Sequence, residues 1–270
     1  MRSPLVTFAD LPSLDAILLD ARANKGAYEA GHLPGAIHAD LETQLSAARE
    51  PGADPARGGR HPLPSIERWA KQLGEWGITP ERNVVIYDDQ AGANAASRAW
   101  WMLRSAGHEN AFVLDGGLTP ELPLTTEPPH ITPAPPYPVT SWQWPTVDLP
   151  RVDALRHDPA WRVLDVRSRE RYRGETEPID PIAGHIPGAI NLPFAENLEQ
   201  GRYKPPDALR EQYEALLGDT PPERVVVHCG SGVTACHTLL ALEAAGLHGA
   251  ALYVGSWGEW CRNPMPREPV

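Results

Sequence analysis

The sequence has few cysteines and no long apolar segment. Only Cys229, Cys236 and Cys261 occur in 270 residues. This odd number, together with a start that lacks the features of a secretory signal peptide, argues against a disulfide framework. No stretch approaches the roughly 18 apolar residues that a membrane-spanning helix needs. We therefore expect a cytoplasmic protein with no membrane partner.

Basic residues are also scarce. The chain has 24 Lys and Arg against 35 Asp and Glu, a formal net charge of −11. Proteins that bind nucleic acids generally need a basic surface that displaces counterions, so we expect no nucleic-acid partner. The cysteines form no CxxC pair, and the single close Cys/His pair offers too few ligands for structural zinc. We expect neither a metal nor another cofactor.

The sequence does contain an internal duplication. The segment AGHLPGAI at residues 30–37 returns as AGHIPGAI at 183–190, and an Asp-x-Arg tripeptide precedes each copy. The run NVVIYD at 83–88 similarly matches RVVVHC at 224–229. Self-similarity in the same order indicates repeated structural units. We therefore predict two related domains.

A proline-rich segment separates the two halves. The prolines in residues 125–138 disfavour helix and favour an extended spacer. We predict a first domain at 1–124, a linker at 125–148 and a second domain at 149–270.

Within each half, short apolar runs alternate with helical segments, which is typical of an α/β fold whose mostly parallel sheet is covered by helices on both faces. The predicted strands are 16–20, 84–88, 111–114, 163–166, 225–228 and 250–254. The predicted helices include 66–76 and 234–245.

Cys229 has the sequence context of a reactive thiol. It ends a buried strand and precedes a small-residue loop that leads into a helix. Ligands bind at this end of parallel strands, and loop amides with a helix N-terminus stabilise a thiolate. Glycines in the loop leave its N–H groups open to an anion above the sulfur. The expected anion-binding residues are Gly230, Gly232, Val233, Thr234 and Ala235.

The segment HCGSGVTAC, the paired turns and the closing LYVGSWGEW resemble tandem-domain rhodaneses, a family of sulfurtransferases. The resemblance implies two rhodanese-like domains, with a persulfide carried on Cys229 and no nucleophile in the first domain, where Asp88 stands at the equivalent position. The neutral Gly-Ser-Gly loop is similar to the branch that uses 3-mercaptopyruvate, whereas thiosulfate users tend to carry Arg-Lys. The implied partners are a small-molecule sulfur donor and a thiol acceptor, such as a thioredoxin-like protein, or cyanide.

The resemblance also implies further catalytic and substrate-binding residues that act with Cys229. In the mercaptopyruvate branch a serine acts with a histidine and an acidic residue from the first domain, and the matching residues are Ser231, His61 and Glu42. Arg171 matches an arginine that holds the substrate carboxylate, a role that suits a forked guanidinium. The family's second arginine has no counterpart in residues 177–181. Arg171 is therefore expected to hold the carboxylate alone.

Alternative functions can also be compared with the sequence. A cysteine phosphatase needs an arginine six residues after its cysteine, where this chain has Ala235. Thiosulfate sulfurtransfer remains an alternative, as does a non-catalytic carrier whose persulfide is loaded by a partner enzyme. Turnover with small donors would separate an enzyme from such a carrier.

Overall fold

The structure is a computed structural model that describes residues 3–93 and 95–268. The chain packs into two compact units. The first unit comprises Met1–Ala47 and Pro64–Trp144, and the second comprises Ala48–Leu63 and Pro145–Val270. A short piece of the first half of the chain thus packs with the half that contains Cys229. No helix within the described ranges is long and apolar enough to cross a membrane.

A parallel sheet forms the centre of the first unit. Its strands are β1 (Leu5–Val6), β2 (Ala16–Asp20), β3 (Ile37–His38), β4 (Asn83–Tyr87) and β5 (Ala111–Leu114). Its helices are α1 (Leu11–Leu14), α2 (Lys25–Ala30), α3 (Ile66–Glu75) and α4 (Ala96–Ser105). The strand order is β1-β5-β4-β2-β3, and every pairing is parallel. Helices flank the sheet, which explains why the central strand β4 is apolar and buried along nearly its whole length.

Helix α3 illustrates how the sequence sets these elements. The side chain of Ser65 accepts a hydrogen bond from the amide of Arg68 and caps the first turn. Ile66, Trp69 and Leu73 then recur on one face at helical spacing, and all three are buried. Local capping and core burial therefore favour the same helix.

The second unit repeats the arrangement of the first. Its strands are β6 (Thr146–Val147), β7 (Arg162–Asp165), β8 (Ile190–Asn191), β9 (Leu198–Glu199), β10 (Arg202–Tyr203), β11 (Val225–His228) and β12 (Ala251–Tyr253). Its helices are α5 (Leu149–Leu155), α6 (Arg169–Tyr172), α7 (Pro206–Leu217), α8 (Ala235–Ala244) and α9 (Ser256–Trp260). The main sheet is parallel in the order β6-β12-β11-β7-β8, and β9 and β10 form a separate antiparallel pair. The shared strand order confirms the predicted duplicated α/β fold.

The predicted linker contains no helix over its described residues 125–148, and its first part packs along the first unit. Backbone hydrogen bonds join Thr125 to His32, and the amide of Tyr137 donates to the carbonyl of Ala70 at 2.9 Å. A Cβ on Gly74 would lie 2.6 Å from the Pro135 carbonyl oxygen, so the two backbones approach closely. Residues 125–144 are therefore part of the first unit, and β6 begins the second sheet at Thr146. The boundaries at 124 and 149 stay a prediction.

Candidate active site

Cys229 is the first residue after β11, the central strand of the second sheet. Its side chain is 3% exposed. The Cys229 amide donates to Ser256 Oγ at 3.1 Å, and its carbonyl accepts from the Trp257 amide at 3.0 Å. Strand β11 and the first turn of α9 therefore fix the backbone that carries the sulfur.

The loop after Cys229 turns back towards the sulfur. The Ser231 amide lies 3.5 Å from Cys229 Sγ. Gly232 has a φ of +73°, and a Cβ there would lie 2.4 Å from the Val254 carbonyl oxygen, so a larger residue does not fit. Val233 and Thr234 complete the loop, and α8 begins at Ala235. Anion binding by the loop amides stays a prediction.

The first unit has a carboxyl side chain at the equivalent position. Asp88 follows β4 and is fully buried. Its Oδ1 accepts hydrogen bonds from the amides of Gln90 and Gly92, both at 2.8 Å, and its Oδ2 accepts from the Ala96 amide at 3.2 Å. The same strand, loop and helix arrangement therefore directs backbone N–H donors at a side-chain acceptor.

Two guanidinium groups border the cysteine loop. A Cβ at Gly230 would lie 2.9 Å from Arg60 Nη2 and 3.2 Å from Arg171 Nη2. Arg60 therefore brings a second guanidinium to the loop from a distant part of the chain, and the role of Arg171 towards the carboxylate stays a prediction. The sequence signal was present, since Arg60 belongs to the motif GRHPLP that led to His61.

Acidic side chains fix both arginines. Arg171 donates from Nε and Nη2 to the two carboxylate oxygens of Glu177, at 3.2 and 2.6 Å. Burial opposes the charged form of Glu177, but the hydrogen bond and charge of Arg171 outweigh it and hold its pKa below the usual value. Arg60 donates from Nε to Asp180 Oδ1 at 3.1 Å. Both guanidiniums are therefore anchored beside the loop.

A deeper ion pair lies beneath the cysteine. Arg167 binds Asp165 with two nitrogens, and both side chains are buried. Burial opposes the charge of Arg167, but the charges of Asp165, Glu177 and Cys229 raise its pKa. Arg167 is thus within electrostatic reach of the sulfur. Burial lowers the pKa of His228, so this neighbour of Cys229 is neutral at pH 7 and is a poor candidate for a cationic partner.

The other two cysteines are also buried thiols. Cys236 donates from Sγ to the Gly232 carbonyl at 3.4 Å. Burial, followed by the charge of Asp180, raises the pKa of Cys261, which keeps it protonated. Over the described part of the chain, no group of three or more His, Cys, Asp or Glu side chains is placed to hold a metal ion.

The segment that carries Arg60 and His61 is fastened to α9. The Gly58 amide donates to Glu259 Oε1 at 2.7 Å. Gly59 has a φ of +80°, and a Cβ there would lie 2.4 Å from the Gly255 carbonyl oxygen. This close approach requires glycine at position 59.

The predicted helper residues are distributed over both units. His61 and Ser231 are buried in the second unit, and they directly follow Arg60 and Gly230, which lie against each other. Glu42 belongs to the first unit, where its backbone carbonyl accepts a hydrogen bond from Ser46 Oγ at 3.3 Å. The roles of Ser231, His61 and Glu42 stay predictions.

Replacing Gly59 by alanine should lower kcat/KM by about 10-fold or more, because strain at a positive φ and a backbone clash would displace Arg60 and His61. Gly52→Ala is the matched control. Gly52 has a φ of +83° in the same segment, but nothing lies within 4 Å of its Cβ position. Steady-state rates and thermal unfolding of both variants would test this, and equal activity in the two would refute the role given to the contact.

Comparison with known proteins identifies the class. The model of the rhodanese-like domain matches residues 8–120 and 148–263. The chain therefore belongs to the rhodanese-like domain family, with two tandem copies. A "Probable 3-mercaptopyruvate sulfurtransferase" of Pseudomonas aeruginosa is 42% identical, and the alignment covers 97% of this chain and 94% of that protein.

Two further relatives show the range of the family. A "Putative thiosulfate sulfurtransferase SseB" of Mycobacterium tuberculosis is 37% identical over 91% of this chain and 86% of its own. The structure of 3-mercaptopyruvate sulfurtransferase from Leishmania major superposes with a TM-score of 0.80 at 27% identity, and covers 97% of this chain and 75% of that one. The protein is a sulfurtransferase enzyme.

Proposed function

We propose that the protein transfers sulfane sulfur from 3-mercaptopyruvate to a thiol or to cyanide through a persulfide on Cys229. The observation that carries the proposal is the position of the Cys229 sulfur, buried at the end of the central strand with the Ser231 amide 3.5 Å away. Two guanidiniums lie against Gly230, the next residue. This combination suits a donor with a sulfur at one end and a carboxylate at the other.

The first half of the reaction loads the enzyme. The Cys229 thiolate attacks the donor sulfur, a sulfur–sulfur bond forms, and the donor's carbon–sulfur bond breaks. The electron pair of that bond passes to carbon and gives the enolate of pyruvate, which takes up a proton. Ser231 with His61 would deliver this proton, since both lie in the segments that meet at Gly230.

Donor binding would use the two arginines. A guanidinium fork donates two parallel hydrogen bonds to a carboxylate, and Arg60 and Arg171 both face the cysteine loop. The loop amides would stabilise the negative outer sulfur, as the amides of the first unit hold the Asp88 carboxylate.

The second half of the reaction returns the free enzyme. An acceptor thiolate attacks the outer sulfur, the sulfur–sulfur bond breaks, and the Cys229 thiolate is released. The acceptor leaves as a persulfide, or as thiocyanate when it is cyanide. A thioredoxin-like protein would supply a suitable thiolate, because its thiol ionises readily near neutral pH.

Thiosulfate is the second candidate donor. The arginines at Gly230 give the neutral loop a positive border, which would favour a dianion, and the Mycobacterium tuberculosis relative is named for thiosulfate. The Gly-Ser-Gly loop itself and the Pseudomonas aeruginosa relative's name favour mercaptopyruvate. We assign mercaptopyruvate as the preferred donor.

We expect kcat/KM for mercaptopyruvate to exceed that for thiosulfate by about 10-fold or more, because a fork-to-carboxylate contact is worth roughly 1.5–3 kcal/mol. Steady-state rates with both donors, with cyanide and then a dithiol as acceptor, would measure the ratio. A preference for thiosulfate would reject the donor assignment and leave the persulfide chemistry in place. Sulfur loading only from a partner enzyme, without turnover of either donor, would indicate a carrier.

A further inference from the structure

Asp180 is a buried carboxylate at which three arginines converge. Its side chain is fully buried, whereas those of Arg60, Arg171 and Arg262 are 18–23% exposed. Oδ1 accepts from Arg60 Nε at 3.1 Å and from Arg262 Nη1 at 2.8 Å. Burying a carboxylate without nearby cations costs free energy. The position of the Asp180 side chain therefore depends on these arginines, and the positions of the arginine side chains depend on Asp180.

The two oxygens of Asp180 are not equally satisfied. Oδ2 lies 3.6 Å from Arg171 Nη2, beyond hydrogen-bond distance. Within residues 3–93 and 95–268 no group donates a hydrogen bond to this buried oxygen. Part of its negative charge therefore acts on the surrounding cations through space instead of through a bond.

Asp180 contacts residues that also contact the cysteine loop. Its amide donates to Glu177 Oε1 at 3.1 Å, and Glu177 in turn holds Arg171. A Cβ on Gly258 would lie 3.3 Å from Asp180 Oδ1 and 2.7 Å from the Gly230 carbonyl oxygen. One backbone position thus contacts both the carboxylate and the cysteine loop.

The hydrogen bond from Arg60 to Asp180 sets the orientation of the Arg60 guanidinium relative to the cysteine loop. The bond uses Nε of Arg60, while Nη2 of the same planar group lies at Gly230. A carboxylate at Nε fixes the plane of the guanidinium and leaves its outer edge for another acceptor. The charge of Asp180 also offsets part of the positive charge of the three arginines.

We propose that Asp180 is a positioning residue that orients Arg60 towards the cysteine loop and tunes the choice between singly and doubly charged sulfur donors. The proposal rests on the proposed function. A monoanionic donor needs an oriented fork, which Asp180 provides. A dianionic donor gains from any added positive charge, which Asp180 limits.

The test compares Asp180→Asn with Glu175→Gln. Both changes remove one negative charge from the same segment, but Glu175 is half exposed and pairs with Arg173 at 3.6 Å. In Asp180→Asn we expect KM for mercaptopyruvate to rise about 10-fold, as for one lost charge-assisted contact, with kcat nearly unchanged. KM for thiosulfate should stay equal or fall. The control should match the wild type.

Asp180→Glu gives a second variant in case the asparagine protein does not fold. It keeps the buried charge but moves the carboxylate relative to Arg60 Nε, so KM for mercaptopyruvate should rise without a gain for thiosulfate. Equal changes for both donors in Asp180→Asn, or an unchanged KM in Asp180→Glu, would overturn the proposal.

A binding measurement separates this proposal from the proposed function. Pyruvate and sulfate, a monoanion and a dianion, can be tested for protection of Cys229 against alkylation by iodoacetamide, which requires no turnover. Asp180→Asn should lose about 10-fold in protection by pyruvate relative to sulfate. An unchanged ratio would overturn the role of Asp180. An inactive wild type would refute only the proposed function.

Discussion

Replacing Cys229 by serine is expected to abolish sulfur transfer and leave the fold intact. A serine hydroxyl ionises far less readily than a thiol and cannot form a persulfide, so activity should fall by at least roughly 1,000-fold. The substitution is nearly isosteric at a buried position, and the amide of residue 229 keeps its bond to Ser256. After treatment with donor, intact-mass analysis should show one added sulfur on the wild type and none on the variant.

Cys236→Ser and Cys261→Ser provide matched controls. Both cysteines are buried in the same unit as Cys229, and the raised pKa of Cys261 disfavours its thiolate. Each control should still gain one sulfur and keep most of its activity. Added sulfur or turnover in Cys229→Ser would show that another residue is the nucleophile.

The repeated sequence was sufficient to predict the duplicated α/β fold and the longer strands of both main sheets. Each of the eight predicted elements agrees with the structure to within one residue at either end, for example 225–228 for β11 and 66–76 for α3. The edge strands β1, β3, β6 and β8 were missed. Each has only two residues, which is too short for a hydrophobic period, and each depends on pairing with a longer neighbour.

The candidate site was only partly predictable. The cysteine loop is local in sequence, so its glycines and its strand–loop–helix context could be interpreted directly. The surrounding charge was harder to predict: Arg60 stands beside His61 in the sequence, but its contact with Asp180 joins residues 120 positions apart. A loop that is neutral in sequence is thus bordered by guanidiniums in space. A substitution such as Gly230→Arg would displace Arg60 as well as add a charge, because a Cβ at position 230 would come within 2.9 Å of Arg60 Nη2.

The two repeats place different side chains at the same position of one scaffold. In the first unit the Asp88 carboxyl group accepts hydrogen bonds from three backbone N–H groups of its own loop and helix. In the second unit the equivalent residue is Cys229, which would present negative charge as a thiolate or persulfide. The first loop, between Asp88 and Ala96, is longer than the second, between Cys229 and Ala235, and it closes on the Asp88 carboxyl group. In the shorter second loop, Gly232 packs closely against the Val254 carbonyl, and the Ser231 amide lies 3.5 Å from the Cys229 sulfur.

Removing both arginines at Gly230 should cause the largest loss of donor binding. Arg60→Ala and Arg171→Ala are each expected to raise KM for mercaptopyruvate by about 10- to 100-fold, since a charge-assisted contact is worth roughly 1.5–3 kcal/mol. The effect of Arg60→Ala should be at least as large as that of Arg171→Ala. Arg60 shares the charge of Asp180 with Arg262, so its own charge is less fully neutralised than that of Arg171, which donates from two nitrogens to Glu177.

The double variant should lose about 100-fold or more in kcat/KM, while kcat changes little, because in the proposed binding mode the arginines position the donor and do not contact the transferring sulfur. Arg173→Ala is the control, since Arg173 lies two residues from Arg171, is half exposed and pairs with Glu175. Persulfide loading at saturating donor should remain complete in all variants. A fall in kcat at unchanged KM would place these arginines in the chemical step instead of in donor binding.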